Sequence, residues 1–397
     1  MSKIVVKDLV KIFGDHPEKA LKMLQEGYSK EEILKKTRQT VGIYNINFSV
    51  NEGEVFVLMG LSGSGKSTLL RCINRLIEPT SGTITIDGED ITRAGPEVIR
   101  EIRRKKVSMV FQRFALFPHR TVLDNVAYGL EVQGVPTVQR REKAAQIIET
   151  VGLKGWEYSM PDQLSGGMQQ RVGLARALCN NPDILLMDEA FSALDPLIRK
   201  SMQDELISLQ NSLNKTIVFV THDLDEALKI GDRIALMNNG TIVQIRTAEE
   251  ILTRPANDYV EKFVEDVDRT KVLTAEGVMK PPDPVVFLKD GPHVALRQMK
   301  EHGISSIFVV TRDLRLVGIV LAEDALRAVK EQREDLKDII IEGVPKVSID
   351  TPVIDIIPVL AETRLPVAVT RDDNKLVGIL VKGSVLAGMV RKGENIA

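Results

Sequence analysis

Residues 60–67 have the sequence GLSGSGKS, and this segment constrains the fold more than any other part of the chain. It follows the apolar run EVFVLMG and precedes the amphipathic segment Ser67–Ile77, so the pattern predicts a strand, a tight loop and a helix. Backbone N–H groups at a helix N-terminus attract an anion, and glycines let the loop curl closely around it. The sequence therefore predicts a phosphate-binding loop formed by Gly60, Leu61, Ser62, Gly63, Ser64, Gly65, Lys66, Ser67 and Thr68.

Two residues of this loop and two later carboxylates carry the predicted chemistry. Lys66 is expected to contact the β- and γ-phosphates of a nucleotide as a catalytic residue, and the Ser67 hydroxyl to ligate Mg²⁺. Asp188 ends the apolar run DILLMD and is the predicted metal partner, while Glu189 is placed to polarise the attacking water as general base. Two acids at a strand end could instead cap the next helix, but the phosphate-binding loop favours the catalytic interpretation.

Short apolar runs alternate with amphipathic stretches through the first part of the chain. Such runs are typical of strands buried on both faces of a mostly parallel sheet, so the pattern predicts an α/β domain. The pairs Asp87-Gly88 and Asn239-Gly240 lie between alternating segments and predict hairpin turns, which favours a small antiparallel β lobe on the α/β core. The four runs that predict buried strands are residues 54–60, 107–112, 183–189 and 216–222.

Further motifs resemble those of the ABC-type ATPases. LSGGMQQR at residues 164–171 resembles the ABC signature, and SALD at residues 192–195 resembles the D-loop, which ends in Asp195. Gln112 and His222 each end a predicted strand, as the Q-loop glutamine and the switch histidine of that family do. The chain is identified as a member of this family, which implies ATP hydrolysis with Mg²⁺ as cofactor and a helical subdomain beside the sheet.

The resemblance also implies a role for each of these residues. In this family the signature loop of one subunit closes over the ATP held by another, which implies a homodimer. Gln112 would sense the γ-phosphate and the metal, and His222 would hold the γ-phosphate and the attacking water. Family members often stack adenine on an upstream aromatic residue, for which Phe13 is the nearest candidate, a core phenylalanine being the alternative. The signature residues expected to act in trans are Ser165, Gly166, Gly167 and Gln169.

Length, charge and cysteine content limit the other possible functions. A chain of 397 residues predicts two or three domains. The net charge of −2 and the pI near 6.3 give no reason to expect nucleic acid as a partner. Cys72 and Cys179 cannot form a disulfide framework and are interpreted as buried residues in a reducing compartment. The N-terminus lacks a signal peptide and no segment has the ~20 apolar residues of a membrane span, so we expect a cytoplasmic protein whose membrane role works through a partner. The resemblance to ABC-type ATPases then implies peripheral attachment at the cytoplasmic face of the cell membrane.

Two other regions depart from the pattern of the predicted ATPase domain, residues 1–265. Residues 14–41 are charged and helical in pattern, and we interpret them as an inserted, solvent-facing helical segment. After a linker at 266–273 the chain repeats itself, because FVVTRDLRLVGIV (308–320) matches VAVTRDDNKLVGIL (367–380). The repeat resembles a tandem pair of CBS domains, which predicts an α+β module with its first domain at 274–332, its second at 333–391 and a tail at 392–397.

CBS pairs commonly bind adenine nucleotides, so the resemblance implies such a regulator, cyclic di-AMP among them. In the first repeat Asp324 follows Gly318 by six residues and could bind a ribose hydroxyl. In the second repeat the equivalent position after Gly378 is Ser384, which has no carboxylate. One nucleotide site, with Asp324 as its acidic residue, is therefore expected in the pair.

The whole chain resembles the ATPase of glycine betaine/proline importers. This resemblance is carried by the insertion at 14–41, by the CBS-like pair and by three further segments. These segments are MGLSGSGKSTLLRCINRLIEPTSG, FQRFALFPHRTVLDNVAYGLE and MDEAFSALDPLIRK. It implies osmoprotective import of a quaternary ammonium compound with a membrane permease subunit and a substrate-binding protein or domain as partners. Residues 113–130 could form the groove for the permease, or simply the core of the helical subdomain. The alternatives are an importer of another small solute and a non-transport ABC ATPase.

Overall fold

The computed structural model describes residues 2–112, 115–265, 268, 270 and 272–389. Two compact units divide the chain, residues 1–265 and residues 266–397. Arg113 and Phe114 of the predicted groove lie outside the described residues, as do parts of the predicted linker, residues 390–391 of the second predicted CBS domain, and the tail 392–397.

The first unit contains ten strands and eleven α-helices among its described residues. The strands are β1 (Ser2–Phe13), β2 (Thr40–Asn51), β3 (Val55–Met59), β4 (Ser81–Ile86), β5 (Glu89–Asp90), β6 (Val107–Val110), β7 (Ile184–Asp188), β8 (Thr216–Thr221), β9 (Arg233–Asn238) and β10 (Thr241–Arg246). The helices are α1 (Pro17–Gln25), α2 (Lys30–Thr37), α3 (Lys66–Ile73), α4 (Pro96–Lys105), α5 (Val122–Val132), α6 (Thr137–Thr150), α7 (Gly166–Cys179), α8 (Pro196–Leu213), α9 (Leu224–Ile230), α10 (Ala248–Thr253) and α11 (Asp258–Phe263).

A six-stranded sheet forms the centre of this unit, in the order β10-β9-β3-β8-β7-β6. Strands β9, β3, β8, β7 and β6 are parallel to one another, and β10 pairs antiparallel with β9. All four apolar runs form strands of this sheet, and every residue of β3, β7 and β8 is buried. The predicted α/β class with a mostly parallel sheet is confirmed, because strands covered on both faces need apolar side chains at every position.

A second, four-stranded antiparallel sheet forms the predicted small β lobe, in the order β2-β1-β4-β5. The turn between β4 and β5 is Asp87-Gly88, and both residues have positive φ, 52° and 79°. The turn Asn239-Gly240 joins β9 to β10 and therefore extends the edge of the six-stranded sheet instead of the lobe.

Helices α5, α6 and α7 form the helical subdomain around a core of their own. That core includes Val122, Val126, Ile148 and Val172, each 0% exposed. Leu116 packs against the same core from the preceding segment. Within the described part of residues 113–130, Val122 is therefore a core residue, and Leu116 is partly buried against it.

The insertion consists of α1 and α2, but it is packed on one face. Ala20 of α1 and Ile33 of α2 are fully buried, and they lie with Val10, Ile12 and Val41 of the β lobe in one apolar cluster. The charged residues occupy the outer face of both helices, so the expectation of a wholly solvent-facing segment holds for that face alone.

The second unit has two similar halves, each with a three-stranded sheet whose first strand pair is parallel and whose second pair is antiparallel. Its strands are β11 (Val285–Phe287), β12 (Ser306–Val310), β13 (Leu316–Leu321), β14 (Lys346–Ser348), β15 (Val367–Thr370) and β16 (Leu376–Leu380). Its helices are α12 (Ala275–Val278), α13 (Pro292–His302), α14 (Ala322–Lys330), α15 (Val353–Glu362) and α16 (Lys382–Met389).

The two halves share a core and exchange segments. Phe308 and Ile319 of the first half pack with Ala368 and Leu376 of the second. Residues 273–278 pack in the core of the second half, and residues 336–340 pack in the core of the first. A boundary at residue 332 thus divides the sequence repeat, but it does not separate the two cores.

Candidate functional site

The phosphate-binding loop connects the end of β3 to the first turn of α3. The ammonium of Lys66 donates hydrogen bonds to the carbonyls of Gly60 and Leu61, at 2.8 and 3.1 Å, and its side chain is 3% exposed. The loop therefore closes around the lysine. Burial lowers the pKa of Lys66, and the nearby carboxylates of Glu189 and Asp188 oppose this shift. A buried cation ringed by backbone is suited to hold a polyanion.

Two glycines of the loop are required because backbone lies directly against them. A Cβ on Gly60, whose φ is 152°, would lie 2.2 Å from the carbonyl oxygen of Met237. A Cβ on Gly65, whose φ is 97°, would lie 2.8 Å from the carbonyl oxygen of Gly42. Strands β9 and β2 thus fix the position of the loop from behind.

A hydroxyl and a carboxylate face each other beside the loop. The Ser67 Oγ donates to Asp188 Oδ1 at 2.7 Å, and Arg71 lies 3.4 Å from Asp188 Oδ2. Asp188 is the last residue of β7 and is 3% exposed. Oxygen donors of these two types fit Mg²⁺, which is usually bound by one or two protein groups together with phosphates and water. The described residues contain no cluster of three or more histidine, cysteine, aspartate or glutamate side chains that could hold a metal alone.

Glu189 is the point at which the predicted catalytic residues meet. Its carboxylate lies 3.9 Å from Lys66 Nζ and 3.5 Å from His222 Nδ1, and it accepts a hydrogen bond of 3.2 Å from Gln112 Nε2. The backbone of Glu189 has φ of 47°, a strained conformation for a residue with a side chain. This conformation follows directly on the end of β7, at the residue predicted from the sequence to be the general base.

The D-loop follows this cluster directly. The Ser192 Oγ lies 3.4 Å from Gln112 Nε2 and donates to the carbonyl of Glu189 at 2.9 Å. Asp195 is the N-cap of α8 and accepts from the amide of Ile198 at 3.1 Å. Asp195 therefore caps a helix, while Ser192 joins the D-loop to Glu189.

The signature residues lie in the helical subdomain, at the start of α7. The Ser165 hydroxyl accepts from the amide of Met168 at 3.3 Å, so Ser165 is the N-cap. Gln169 donates to the carbonyls of Pro161 and Leu164 at 2.9 and 3.2 Å. Gly166 opens the helix, and a Cβ on Gly167 would lie 2.6 Å from Ile198 of α8. Across the described residues, no hydrogen bond or ion pair joins the segment 164–169 to the phosphate-binding loop, Asp188, Glu189 or His222.

Phe13, the candidate adenine-stacking residue, ends β1 and is 38% exposed. A Cβ on Gly42 would lie 2.8 Å from its ring, and the carbonyl of Gly42 abuts Gly65. The ammonium of Lys11 lies 5.2 Å from the centre of the Phe13 ring. The structure thus places a partly exposed aromatic ring beside Gly42 of β2, the residue whose carbonyl lies against Gly65 of the phosphate-binding loop.

The second unit contains a cavity of about 630 Å³ between its two halves. Three cationic residues, Lys280, Arg364 and Lys382, contribute to its lining together with the acid Asp283. Asp324 does not line this cavity. It lies in the first turn of α14, 3.8 Å from Arg327. The cavity instead reaches Lys382 at the start of α16, two residues before Ser384.

Two residues near the loop were missed by sequence reasoning. Arg71 contacts Asp188 from the first turns of α3, four residues beyond Ser67, and helical spacing could have indicated it. Tyr259 of α11 donates to the carbonyl of Met237 at 3.4 Å, and burial raises its pKa. No motif signals Tyr259, because its contact joins segments far apart in the sequence.

Comparison with protein families gives two matches. The model described as ABC transporter matches residues 43–192, and the model described as CBS domain matches residues 275–331 and 336–391. Across the described ranges, no helix has the length and apolar character that crossing a membrane requires.

Individual relatives match over the full chain. The glycine betaine/carnitine transport ATP-binding protein GbuA of Listeria monocytogenes is 56% identical over 100% of both chains. The glycine betaine/proline betaine transport system ATP-binding protein ProV of Escherichia coli is 48% identical over 99% of both. Among solved structures, a dimeric ATP-binding cassette in a post-hydrolysis state with ADP and phosphate is 32% identical, with a TM-score of 0.53 over 62% of this chain and 98% of that one.

Proposed function

Because this chain belongs to the family of ABC-transporter ATP-binding subunits, we propose that it energises import of glycine betaine or a related quaternary ammonium compound. The observation that carries this proposal is the 56% identity to a glycine betaine/carnitine transport protein over 100% of both chains. ATP-binding subunits of this family hydrolyse ATP to drive transport. The physiological role we propose is osmoprotection.

The cluster around Glu189 supports a mechanism for hydrolysis. Lys66 would hold the β- and γ-phosphates, since its ammonium already lies inside the loop. Mg²⁺, when bound near Ser67, Asp188 and Gln112, would neutralise phosphate charge. Glu189 would accept the proton of the attacking water as general base.

His222 would orient the γ-phosphate and the water beside Glu189. Its Nδ1 lies 3.5 Å from the Glu189 carboxylate, so a hydrogen bond between them would fix both side chains. Gln112 contacts the same carboxylate and would report on whether the γ-phosphate is present. Phe13 would stack on adenine, since its ring is exposed next to the strand that supports the loop.

We further propose that the working ATPase is a homodimer with composite sites. Ser165, Gly166, Gly167 and Gln169 make their contacts within the helical subdomain and would bind the nucleotide held by the partner subunit. Backbone amides at the start of α7 suit this purpose, since a helix N-terminus favours negative charge. Asp195, at the start of α8, would lie at the same interface.

The other partners follow from the transport role. ATP-binding subunits of this family work with a membrane permease, and we propose that this subunit docks to it peripherally at the cytoplasmic face of the cell membrane. A substrate-binding protein or domain would deliver the solute. We propose no nucleic-acid partner, in line with the net charge of −2.

For the second unit we propose regulation by an adenine nucleotide, including cyclic di-AMP. Its cavity offers Lys280, Arg364 and Lys382 to phosphate groups, and its volume of about 630 Å³ is of the size typical for small-molecule sites. Asp324, the acidic residue predicted for the single nucleotide site, does not line this cavity, so the proposal for the cavity rests on its cationic residues. Replacing Arg364 by Gln should weaken cyclic di-AMP binding about 10-fold or more, because a charge-assisted contact is lost. Unchanged binding would contradict this cavity as the site.

The transport proposal is tested by uptake in cells that lack other osmolyte importers. The chain is expressed with its permease and binding protein, and labelled glycine betaine, carnitine, choline and proline are compared. We expect saturable glycine betaine uptake that raises growth in high salt and is lost in the Lys66→Ala variant. Uptake that persists in Lys66→Ala, or stable association with ribosomes or DNA instead of membrane proteins, would contradict the proposal.

A further inference from the structure

The insertion formed by α1 and α2 takes no direct part in the catalytic cluster, yet it contacts the hairpin β9–β10 behind the phosphate-binding loop. This hairpin is packed tightly against the loop. The amide of Gly240 donates to the carbonyl of Ser64 at 3.0 Å. A Cβ on Gly65 would lie only 3.4 Å from the Cα of Gly240. The hydrogen bond couples the two segments, so a displacement of the hairpin turn would strain or break its contact with the loop.

Lys30 connects the insertion to this turn. Its ammonium donates hydrogen bonds to the carbonyl of Asn239 and, at 3.4 Å, to the carbonyl of Val41 on β2. Asn239 has φ of 46° in the two-residue turn. Burial lowers the pKa of Lys30 below its ordinary value, and the neighbouring carboxylate of Glu31 offsets only part of this shift. A half-buried cation therefore bridges the hairpin turn and the strand that supports Gly65.

The start of α2 places Lys30 at this position. Ser29 is the N-cap, and its side chain accepts from the amide of Glu32 while the Glu32 carboxylate accepts from the amide of Ser29. This capping box fixes the first turn of the helix, and Ile33 anchors the next turn in the β lobe. Lys30 thus extends from a rigid base, which distinguishes it from the exposed lysines of the same helix.

Tyr259, in α11 after the hairpin, contacts the hairpin on strand β9. Its hydroxyl contacts the carbonyl of Met237, the same oxygen that lies against Gly60 of the loop. Its ring packs against Phe263, with the ring centres 5.8 Å apart. The hairpin is therefore held by one segment before β2 and by another after β10, and it supports the loop at two points.

We propose that Lys30 is a positioning residue for nucleotide binding, through which the insertion holds the Asn239-Gly240 turn against the phosphate-binding loop. The proposal rests on the nucleotide-binding part of the proposed function and gives the insertion a role in it. With Lys30 in place, the loop is ordered before the phosphates arrive. Without it, part of the binding free energy is spent on ordering the loop.

The test compares Lys30→Met with Lys35→Met in the full-length chain, using Mg·ADP as the probe. Lys35 lies on the same helix but is exposed, so the control removes the same charge without touching the hairpin. ADP isolates the loop, because it requires neither hydrolysis nor the γ-phosphate. We expect Lys30→Met to raise the ADP dissociation constant about 3- to 30-fold and Lys35→Met to leave it unchanged.

Amide hydrogen exchange distinguishes a positioning role of Lys30 from a contribution to overall stability alone, because only the positioning role predicts a local change at the loop and the hairpin. Exchange should rise in Lys30→Met for peptides covering 60–68 and 236–246, and it should stay unchanged for α5 and α6. A lower melting temperature with wild-type ADP affinity and wild-type exchange at 60–68 would overturn the proposal. Lys66→Ala serves as the reference, since its loss of ADP binding would show that the nucleotide site itself stands whichever result Lys30→Met gives.

Tyr259→Phe provides an independent variant that leaves the insertion intact. It removes the phenolic oxygen, which contacts the Met237 carbonyl and is hydrogen-bonded to the backbone of Leu61 in the loop, and we expect a smaller rise in the ADP dissociation constant. Because Lys30 and Tyr259 hold the same hairpin, the double variant should deviate from the product of the two separate effects. A Tyr259→Phe variant with unchanged affinity and a double variant equal to Lys30→Met would contradict the shared hairpin.

Discussion

The two halves of the first unit differ in how their motifs are connected. At the edge of the sheet, Glu189 is contacted by Lys66, Gln112 and His222. Lys66 begins α3, whereas Gln112, Glu189 and His222 follow β6, β7 and β8. In the helical subdomain, Ser165 and Gln169 contact only their own surroundings. The sheet cluster brings its side chains together within one chain, whereas the residues at the start of α7 make no contact with that cluster among the described hydrogen bonds and ion pairs. This difference is what the proposed composite sites would produce, with each chain supplying two unequal half-sites.

The largest expected effect tests the sheet half-site. Glu189→Gln keeps the size of the side chain but cannot take a proton from water, so turnover should fall about 10²- to 10⁴-fold. ATP binding should persist, because Lys66 and the loop are untouched. Single-turnover hydrolysis and ATP retention on the complex measure both properties. Turnover near the wild-type rate would remove Glu189 as general base.

A second, smaller effect tests the helical half-site. Ser165→Ala removes the N-cap of α7 and should lower the free energy of unfolding by about 0.5–2 kcal/mol. Thr121→Ala, which removes the N-cap of α5 in the same subdomain, is the matched control for this stability loss. We expect turnover to fall about 10-fold in Ser165→Ala and to stay near wild type in Thr121→Ala. Equal turnover in the two variants would mean that Ser165 serves only as the N-cap of α7 and does not contribute to hydrolysis.

The smallest expected effect concerns a buried acid next to the switch histidine. Glu226 of α9 is 5% exposed, contacts the Thr221 hydroxyl and accepts from Gln203 at 3.1 Å. Burial raises the pKa of Glu226 above its ordinary value of 4.5, although both hydrogen bonds oppose the shift. The folded state therefore binds more protons than the unfolded state above that value, and this contribution to stability is lost as pH rises through the folded pKa.

Glu226→Gln cannot titrate, so it should lack this dependence. The melting temperature of the wild type should fall relative to that of the variant as pH rises from about 4.5 toward neutrality. Thermal unfolding of both proteins across this interval measures the difference. A difference in melting temperature that stays constant with pH would mean that Glu226 does not titrate in this interval. Neither result would bear on the signature half-site.

The strands of the sheet could be predicted from the sequence more accurately than the contacts between distant segments. Residues 183–189 predict β7 almost to the residue, because a strand buried on both faces must be apolar throughout. The hairpin turn at Asn239-Gly240 was equally readable, because its residues tolerate positive φ. Local patterns of this kind depend on neighbours in the chain, so one sequence is enough to show them.

Contacts that join remote segments left no such signal. Lys30 and Asn239 are 209 residues apart, and a lysine in a charged stretch resembles any solvated lysine. In the second unit, residues 273–278 pack with the second repeat, although the repeat pattern assigns them to the first. The charge pattern of residues 14–41 predicted the outer face of the insertion and could not reveal the packing of Ile33, which depends on strands on either side of it.

The most direct test of two half-sites in one chain is complementation between two inactive variants. Lys66→Ala disables the loop, and Gly166→Asp places a carboxylate where the signature amides would meet phosphate. Coexpressed with the permease, the two chains form a mixed dimer in which one composite site has an intact loop and an intact signature. We predict that this mixture hydrolyses ATP well above either variant alone, up to about a quarter of the wild-type rate. Turnover no higher than the mean of the two variants would contradict the account.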